Sequence, residues 1–410
     1  MNTNKLKIFN DPIYGFITLP SALIYDLVQH PYFQRLRRIS QMGLSSLVYP
    51  GAHHTRFHHA LGCMHLMQKA VDVLRSKNVS ISAEEEQALY IAILLHDIGH
   101  GPFSHAMERS IVEGVHHETI SLMFMDKLDA EFEGQLSLAI KIFRGNYHRK
   151  FMLQLISSQL DMDRMDYLKR DSFFTGVAEG NINSERLIQM MNVVDDILVI
   201  EEKGIYSVEK FLTARRLMYW QAYLHKTSLV AELILMKILK RAKELSHKGE
   251  VLLASTPLSF FLQNKIDEST FDLTTLEIFS RLDDNDIISA IKEWQFHDDH
   301  IISSLSAMLI NRNLLKIKLS NEKFSSEQYQ EILQKYAAQS NLSREEVKFF
   351  VFKGKIKNQA YSVNIEPIHI LRKDGTIEDV VDASDQLSLK ALSKPVTKYY
   401  ICFPKQLAEK

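Results

Sequence analysis

Two cysteines, Cys63 and Cys402, stand in 410 residues. No disulfide framework is available, and a reducing cytoplasm is the expected compartment. Neither sign of charge dominates, because 49 basic and 50 acidic residues leave a formal net charge of -1. That removes any global argument for nucleic acid or an anionic membrane, so affinity for phosphate has to come from local placement. The opening MNTNKLKIFNDPIYG holds no apolar run of signal-peptide length. The most apolar later run, 229–239, is interrupted by Glu232 and Lys237 and is too short to span a bilayer. No internal repeat or low-complexity segment is visible. With 46% hydrophobic and 24% charged residues, the remainder has an ordinary globular composition, long enough to bury a large core without staples.

Histidine is what the chain concentrates: ten of its 17 lie between His53 and His117. The stretch IAILLHDIGHGPFSH (91–105) begins as apolar helix and ends in three imidazoles and a carboxylate. Ser82 and Glu85 match a capping box that opens this helix, and Gly99, Gly101 and Pro102 stop it. His96 and Asp97 are therefore expected on the last turn of a buried helix, a rigid place to mount ligands.

Around this segment the pattern is largely helical. Residues 6–19 read as a hairpin or arm around Asn-Asp-Pro and Gly. Helices are expected near 104–113, 117–132, 135–144, 150–170, 184–193, 208–247 and 285–340, with a hairpin at 197–207. The tail turns strand-like at 349–352, 363–365, 368–371 and 399–403, with Asp374-Gly375 as a hairpin turn. The expected fold is mainly α, a helical core with a small mixed α/β C-terminal lobe. The expected division is an N-terminal arm and first helices (1–50), a core (51–300) and a C-terminal lobe (301–410).

Adjacent helical side chains point about 100° apart, so one ion touches both His96 and Asp97 only from beyond the helix end. Further ligands must come from elsewhere, and His59 in RFHHALG and Asp163 in QLDMDRMDYLKRD are candidates. Nitrogen and carboxylate ligands suit Mn, Fe, Ni, Zn, Co or Mg. No thiolate neighbours them in the pattern, which argues against a structural zinc site. The bland alternatives are a helix cap for His96-Asp97 and a solvated charged face for Asp163, Asp166, Tyr167, Arg170 and Asp171, which recur at spacings of three and four.

Several segments together carry a more specific signal. IFNDPIYGFITLP, FQRLRRISQMGLSSLVYPGAHHTRFHHALG, LLHDIGHGPFSH, HHETI, DMDRMDYLKRD and AYLHK resemble, in order, the deoxynucleoside triphosphate triphosphohydrolases among the HD-domain metal-dependent phosphohydrolases. The resemblance runs from about residue 7 to 230, and more weakly through MLINRNLLK and the final strand. It implies a divalent ion held by His59, His96, Asp97 and Asp163, polarising the α-phosphate and activating a water. His105 would protonate the leaving 5′ oxygen, oriented by Glu108, which stands where these enzymes often have Asp. His100 and His117 would contact the phosphates. Arg56, Arg164, Arg215 and Lys226 would clamp the triphosphate, Arg164 replacing a frequent Lys. Gln41, Tyr167 and Asp171 would lie at the sugar 3′-hydroxyl, and Tyr223 would crowd the 2′ position and favour deoxyribose. Gln34 and Arg37 fit the activating nucleotide site of some members. Gln29, where those members carry Asp, cannot accept two N–H bonds as a carboxylate does, so guanine activation of that type is not expected.

The implied function is hydrolysis of a deoxynucleoside triphosphate to deoxynucleoside and tripolyphosphate. The implied partners are a nucleotide substrate, in some members a nucleotide effector, and further copies of the chain as dimer or tetramer. Two alternatives stand beside it. One is an HD phosphohydrolase acting on a nucleoside monophosphate or cyclic nucleotide, against which no ligand set for a second metal is visible. The other is a non-catalytic nucleotide- or nucleic-acid-binding module, for which Arg35-Leu-Arg-Arg38 is the local basic stretch. That stretch reads more simply as a solvated helix face.

Overall fold

A computed structural model of the chain describes residues 7–407, apart from 104, 109, 363–365, 386–388, 390 and 391 and the side chains of His105, Glu108 and Glu113. The N-terminal arm is a hairpin of Ile8–Asp11 and Gly15–Thr18, paired antiparallel with Asp11 opposite Gly15. One oxygen of Asp11 closes the turn by accepting from the Ile13 and Tyr14 N–H groups at 2.8 and 3.0 Å.

The architecture is mainly helical, with small sheets. At its centre lies the 21-residue helix Arg56–Ser76, buried along most of its length. It packs against Ala83–Leu95 on one side and Met162–Thr175 on the other. The capping box at Ser82 and Glu85 is formed, with both hydrogen bonds present. The helix ends at Leu95, so His96 is its C-terminal cap and Asp97 lies in the following turn, slightly beyond the expected place. One continuous apolar core joins Ile17 near the N-terminus to Phe403 near the C-terminus.

Several expected elements are shorter or divided. The 150–170 helix is two, Lys150–Ile156 and Met162–Thr175, because the Asp161 side chain caps the second by accepting from the Arg164 N–H. The 208–247 helix is broken at a π-turn, Tyr219–Tyr223, and restarts at Lys226 with the His225 ring accepting from the Thr227 N–H. The hairpin lies earlier than expected, Met191–Val194 against Ile197–Glu201. Its turn residues Asp195 and Asp196 have positive φ, and residues from Ile205 are helix. This shortens the 184–193 helix to Ser184–Gln189. The 104–113 helix shrinks to His105–Glu108, followed by Val112–Glu113 pairing with Ile266–Asp267. The 285–340 region holds three helices and the strand Lys316–Ser320. The strand expected at 349 starts at Phe352, and the one at 363–365 lies outside the described residues.

The tail strands form two sheets. His369–Leu371 and Ile377–Asp379 pair around the expected Asp374-Gly375 turn, and His369–Leu371 joins Ile197–Glu201 in parallel. The other sheet places Val396–Phe403 between Lys316–Ser320 and Phe352–Asn358. Both outer strands carry exposed lysines, Lys316 and Lys318 on one and Lys353, Lys355 and Lys357 on the other. Charges of this kind discourage pairing of a free strand edge with another chain. No helix among the described residues is long and apolar enough to cross a membrane.

Candidate active site

Three local structures bring the candidate ligands together. His59 lies in the first turns of the Arg56–Ser76 helix, whose start is fixed by reciprocal bonds between Thr55 and His58. The His96 ring donates from Nδ1 to the Ile93 carbonyl at 2.7 Å, which leaves Nε2 as the lone-pair nitrogen. The turn after it is clamped by Ser121, whose hydroxyl donates to the His96 carbonyl at 2.8 Å and accepts from the Gly99 N–H at 2.9 Å. Gly99 has to lack a side chain here, since a Cβ would lie 2.2 Å from the His117 carbonyl oxygen and 2.3 Å from the Ser121 nitrogen. Asp163 stands in the first turn of Met162–Thr175.

The four side chains converge. His59 Nε2 is 3.0 Å from Asp163 Oδ1 and 3.7 Å from Asp97 Oδ2, and His96 Nε2 is 3.5 Å from both Asp97 Oδ1 and Asp163 Oδ1. An ion bound through bonds of about 2.1 Å needs neighbouring donors about 3.0 Å apart in an octahedron and about 3.4 Å apart in a tetrahedron. The separations found fit one ion. His96 Nε2 is buried without a hydrogen-bond partner, an orphan that a cation would satisfy. The field has the right sign. Burial disfavours a charged imidazole, yet the hydrogen-bonded carboxylates of Asp163 and Asp166 hold His59 well above the ordinary histidine value, and Asp97 and Asp163 raise His96. Carboxylates that hold a proton on these rings favour a divalent ion in its place.

A sulfur does lie near, that of Cys63. Its Sγ is 3.4 Å from His59 Nδ1, one helical turn on. Burial pushes the thiol far above its usual range, so it stays protonated and supplies no thiolate. The chemistry remains that of nitrogen and carboxylate donors.

A second acid–imidazole group adjoins the first, which sequence reasoning did not foresee. Donor atoms of Asp97, His100 and His117 lie within 4.8 Å of one another, and the His100 and His117 rings stack at 3.9 Å. Arg56 Nη1 donates to Asp97 Oδ2 at 2.5 Å. Burial and the Arg56 guanidinium push the His100 ring down to about 3, so it is neutral at ordinary pH. A fixed guanidinium already supplies positive charge here, which suits an anion better than a second cation.

Beyond these groups, Tyr167 has its ring 6.5 Å from that of His59 and 6.1 Å from that of Tyr223. Tyr223 donates to Asp171 Oδ2 at 2.8 Å, and His54 Nε2 bonds the other oxygen at 2.6 Å. The Gln41 N–H donates to the His54 carbonyl, which puts Gln41 beside this group. Arg215 is buried with Nε and Nη1 unpartnered. Arg164 Nη1 bonds Asp161 at 2.6 Å while its Nε is unpartnered. Lys226 is exposed at the start of its helix. The side chains of His105 and Glu108 lie outside the described part.

One reading is overturned and a second holds only in part. Asp166, Arg170 and Asp171 are at most 2% exposed, so the charged face of their helix points inward. Asp166 accepts from His59 Nδ1 at 2.7 Å and from Arg170 at 2.9 Å through both oxygens. Burial opposes its charge, but Arg170 and His59 pull its carboxyl down to about 2. The 35–38 stretch is a solvated face only in part, at Arg37 and Arg38. Arg35 is fully buried, donating to the Leu282 and Ile98 carbonyls, while Arg38 pairs with Asp283. Arg35 is thus committed inside the molecule, while Arg37 and Arg38 stay at the surface.

An HD domain family model matches residues 56–171, and an HD associated region matches 182–255. A solved phosphohydrolase from Bacteroides thetaiotaomicron is 52% identical, with a TM-score of 0.94, covering 97% of this chain and 100% of that one. The chain belongs to the HD-domain phosphohydrolases. YwfO of Bacillus subtilis is 36% identical over 76% of this HD phosphohydrolase and 71% of its own length. A deoxynucleoside triphosphate triphosphohydrolase SAMHD1 homolog of Dictyostelium discoideum is 31% identical over 54% of this chain and 46% of its own. The His/Asp cluster of this hydrolase is able to hold a divalent metal ion.

Proposed function

We propose that this HD-domain phosphohydrolase hydrolyses a deoxynucleoside triphosphate to deoxynucleoside and tripolyphosphate. The observation that carries the reading is the buried guanidinium of Arg215, whose Nε and Nη1 have no partner. Leaving such donors unbonded is costly, and a multiply charged phosphate chain offers the acceptors they lack.

His59, His96, Asp97 and Asp163 would hold a divalent ion, which when bound would supply Lewis acidity. The protein does the rest. Arg56, Arg164, Arg215 and Lys226 bind the phosphate chain, with the neutral His100 ring and, beside it, His117 as hydrogen-bond partners. His105, oriented by Glu108, delivers a proton to the departing 5′ oxygen. Asp171 is held by His54 on one oxygen and receives the Tyr223 hydroxyl on the other, so the tyrosine ring is fixed where a ribose 2′-hydroxyl would have to fit. Gln41 and Tyr167 complete the sugar pocket.

A second reading, hydrolysis of a nucleoside monophosphate or cyclic nucleotide with two cations, is favoured by the Asp97, His100 and His117 cluster. The Arg56 bond to Asp97 weighs against it. The test is to load the protein with Mn and offer the four deoxynucleoside triphosphates, singly and mixed, beside ribonucleoside triphosphates, monophosphates and cyclic nucleotides. Tripolyphosphate from deoxynucleotides supports the proposal. Turnover confined to monophosphates or cyclic nucleotides overturns it.

A further inference from the structure

We infer that the N-terminal hairpin is a working part of the metal centre, with Asp11 and Arg170 as positioning residues for the His59 ligand. The inference rests on the metal site and is independent of which phosphate ester is the substrate.

A buried chain of four side chains runs from the arm to the ion site. Asp11 Oδ2 accepts from Arg170 Nη1 at 2.7 Å. The same guanidinium grips Asp166 with two parallel bonds, Nε to Oδ2 and Nη2 to Oδ1, each 2.9 Å. Asp166 Oδ2 then accepts from His59 Nδ1 at 2.7 Å. The side chains of Arg170, Asp166 and His59 are fully shielded from solvent, and that of Asp11 is 4% exposed. A hydrogen bond from Nδ1 to a carboxylate fixes the tautomer, turns Nε2 toward the ion and raises its basicity. Asp166 is the direct partner in that arrangement, and its own orientation depends on Arg170.

Arg170 depends in turn on the arm. Its guanidinium spans two carboxylates on opposite sides, so removing one leaves a buried donor unpaired and the other bond pair free to pivot. Asp11 is itself held by the hairpin turn, through the Ile13 and Tyr14 N–H groups on its other oxygen. Space for the chain is reserved by Gly62, where a Cβ would lie 2.0 Å from Asp166 Oδ1 and 2.3 Å from Arg170 Nη2. A contact that served only to pin the arm would not need this connection, and a separate one exists: Gln68 Nε2 donates to the Thr18 carbonyl at 3.1 Å. Displacement of the hairpin would therefore loosen His59 and weaken metal binding.

The test is calorimetric titration of Mn alone, without nucleotide, into the metal-stripped full chain. Asp11→Asn keeps an acceptor for the turn but lacks the charge that holds Arg170. It is expected to weaken Mn binding by about 10- to 100-fold, the range for loss of such an outer partner. Gln68→Ala, which loosens the arm without touching the chain of bonds, should leave the affinity within about 2-fold of the original protein. If Asp11→Asn folds poorly, Arg170→Lys, which keeps the charge and loses the fork, should show the same weakening. Unchanged Mn affinity in Asp11→Asn or Arg170→Lys, or equal weakening in Gln68→Ala, overturns the inference. Because no nucleotide is present, failure of the substrate proposal leaves this outcome unaffected.

Discussion

Replacing Gly62 by alanine sets two physical effects against each other with opposite signs. Gly62 sits inside the Arg56–Ser76 helix, where alanine is favoured over glycine by about 1 kcal/mol. Helix propensity alone therefore predicts a more stable protein. Packing predicts the reverse, because the added Cβ would fall 2.0 Å from Asp166 Oδ1, 2.3 Å from Arg170 Nη2 and 2.8 Å from Asp166 Cγ. Neither partner is a loose side-chain end, since both are fully buried and bonded to each other and to His59 and Asp11. Separating a buried ion pair costs about 3–5 kcal/mol, and the propensity gain returns about 1, leaving a net loss of about 2–4 kcal/mol. Urea unfolding of the metal-free chain, read by far-ultraviolet circular dichroism, measures this. A Gly62→Ala protein as stable as the original, or more so, would refute the view that the Asp166–Arg170 pair is rigidly packed.

Three further outcomes are expected. Asp97→Ala loses metal and activity together, whereas His105→Ala keeps its metal and loses turnover, as elemental analysis beside a phosphate-release assay will report. Arg215→Ala lowers kcat/KM for the triphosphate by about 10- to 150-fold, the equivalent of one charge-assisted hydrogen bond of about 1.5–3 kcal/mol. Lys237 predicts a pH effect remote from the site. Burial, then Lys240, pushes its ammonium down to about 8 in the folded chain, against about 10.4 when unfolded. The folded state thus disfavours the charged form: the penalty is full below pH 8 and disappears as pH rises toward 10.4. Thermal melts of Lys237→Met should show higher stability than the original at pH 7 and a shrinking advantage by pH 10. The gain at pH 7 is about 1 kcal/mol once partial exposure and the lost contact with the Phe352 ring at 4.9 Å are discounted.

Local chemistry was legible wherever it was written in adjacent residues. The Asn-Asp-Pro and Gly punctuation marked the arm, Ser82 and Glu85 marked the start of the helix that carries His96, and Asp374-Gly375 marked a late hairpin. The ligand candidates were legible because four imidazole and carboxylate groups stood in motifs that resemble a family. Which way the 163–171 face points was not legible. Spacings of three and four place Asp166 and Arg170 on one side of a helix but do not say whether that side meets water or another buried charge, and the partner, Asp11, lies 159 residues away. Arg35 hid for the same reason, its acceptors being the carbonyls of Ile98 and Leu282. The break after Met218 escaped because a π-turn inserts itself into an otherwise regular helical pattern. The sulfur near His59 was visible only as an i, i+4 spacing that a buried apolar cysteine satisfies equally well.

The central claim, that water attacks the α-phosphorus of a deoxynucleoside triphosphate at the His59–His96–Asp97–Asp163 centre, is tested most directly by isotope placement. The Mn-loaded protein would be given a deoxynucleoside triphosphate in ¹⁸O-water, and the products separated and weighed by mass spectrometry. The account predicts one ¹⁸O in the tripolyphosphate and none in the deoxynucleoside, with His59→Ala abolishing both products. Label in inorganic phosphate, or in pyrophosphate released beside a deoxynucleoside monophosphate, would contradict it.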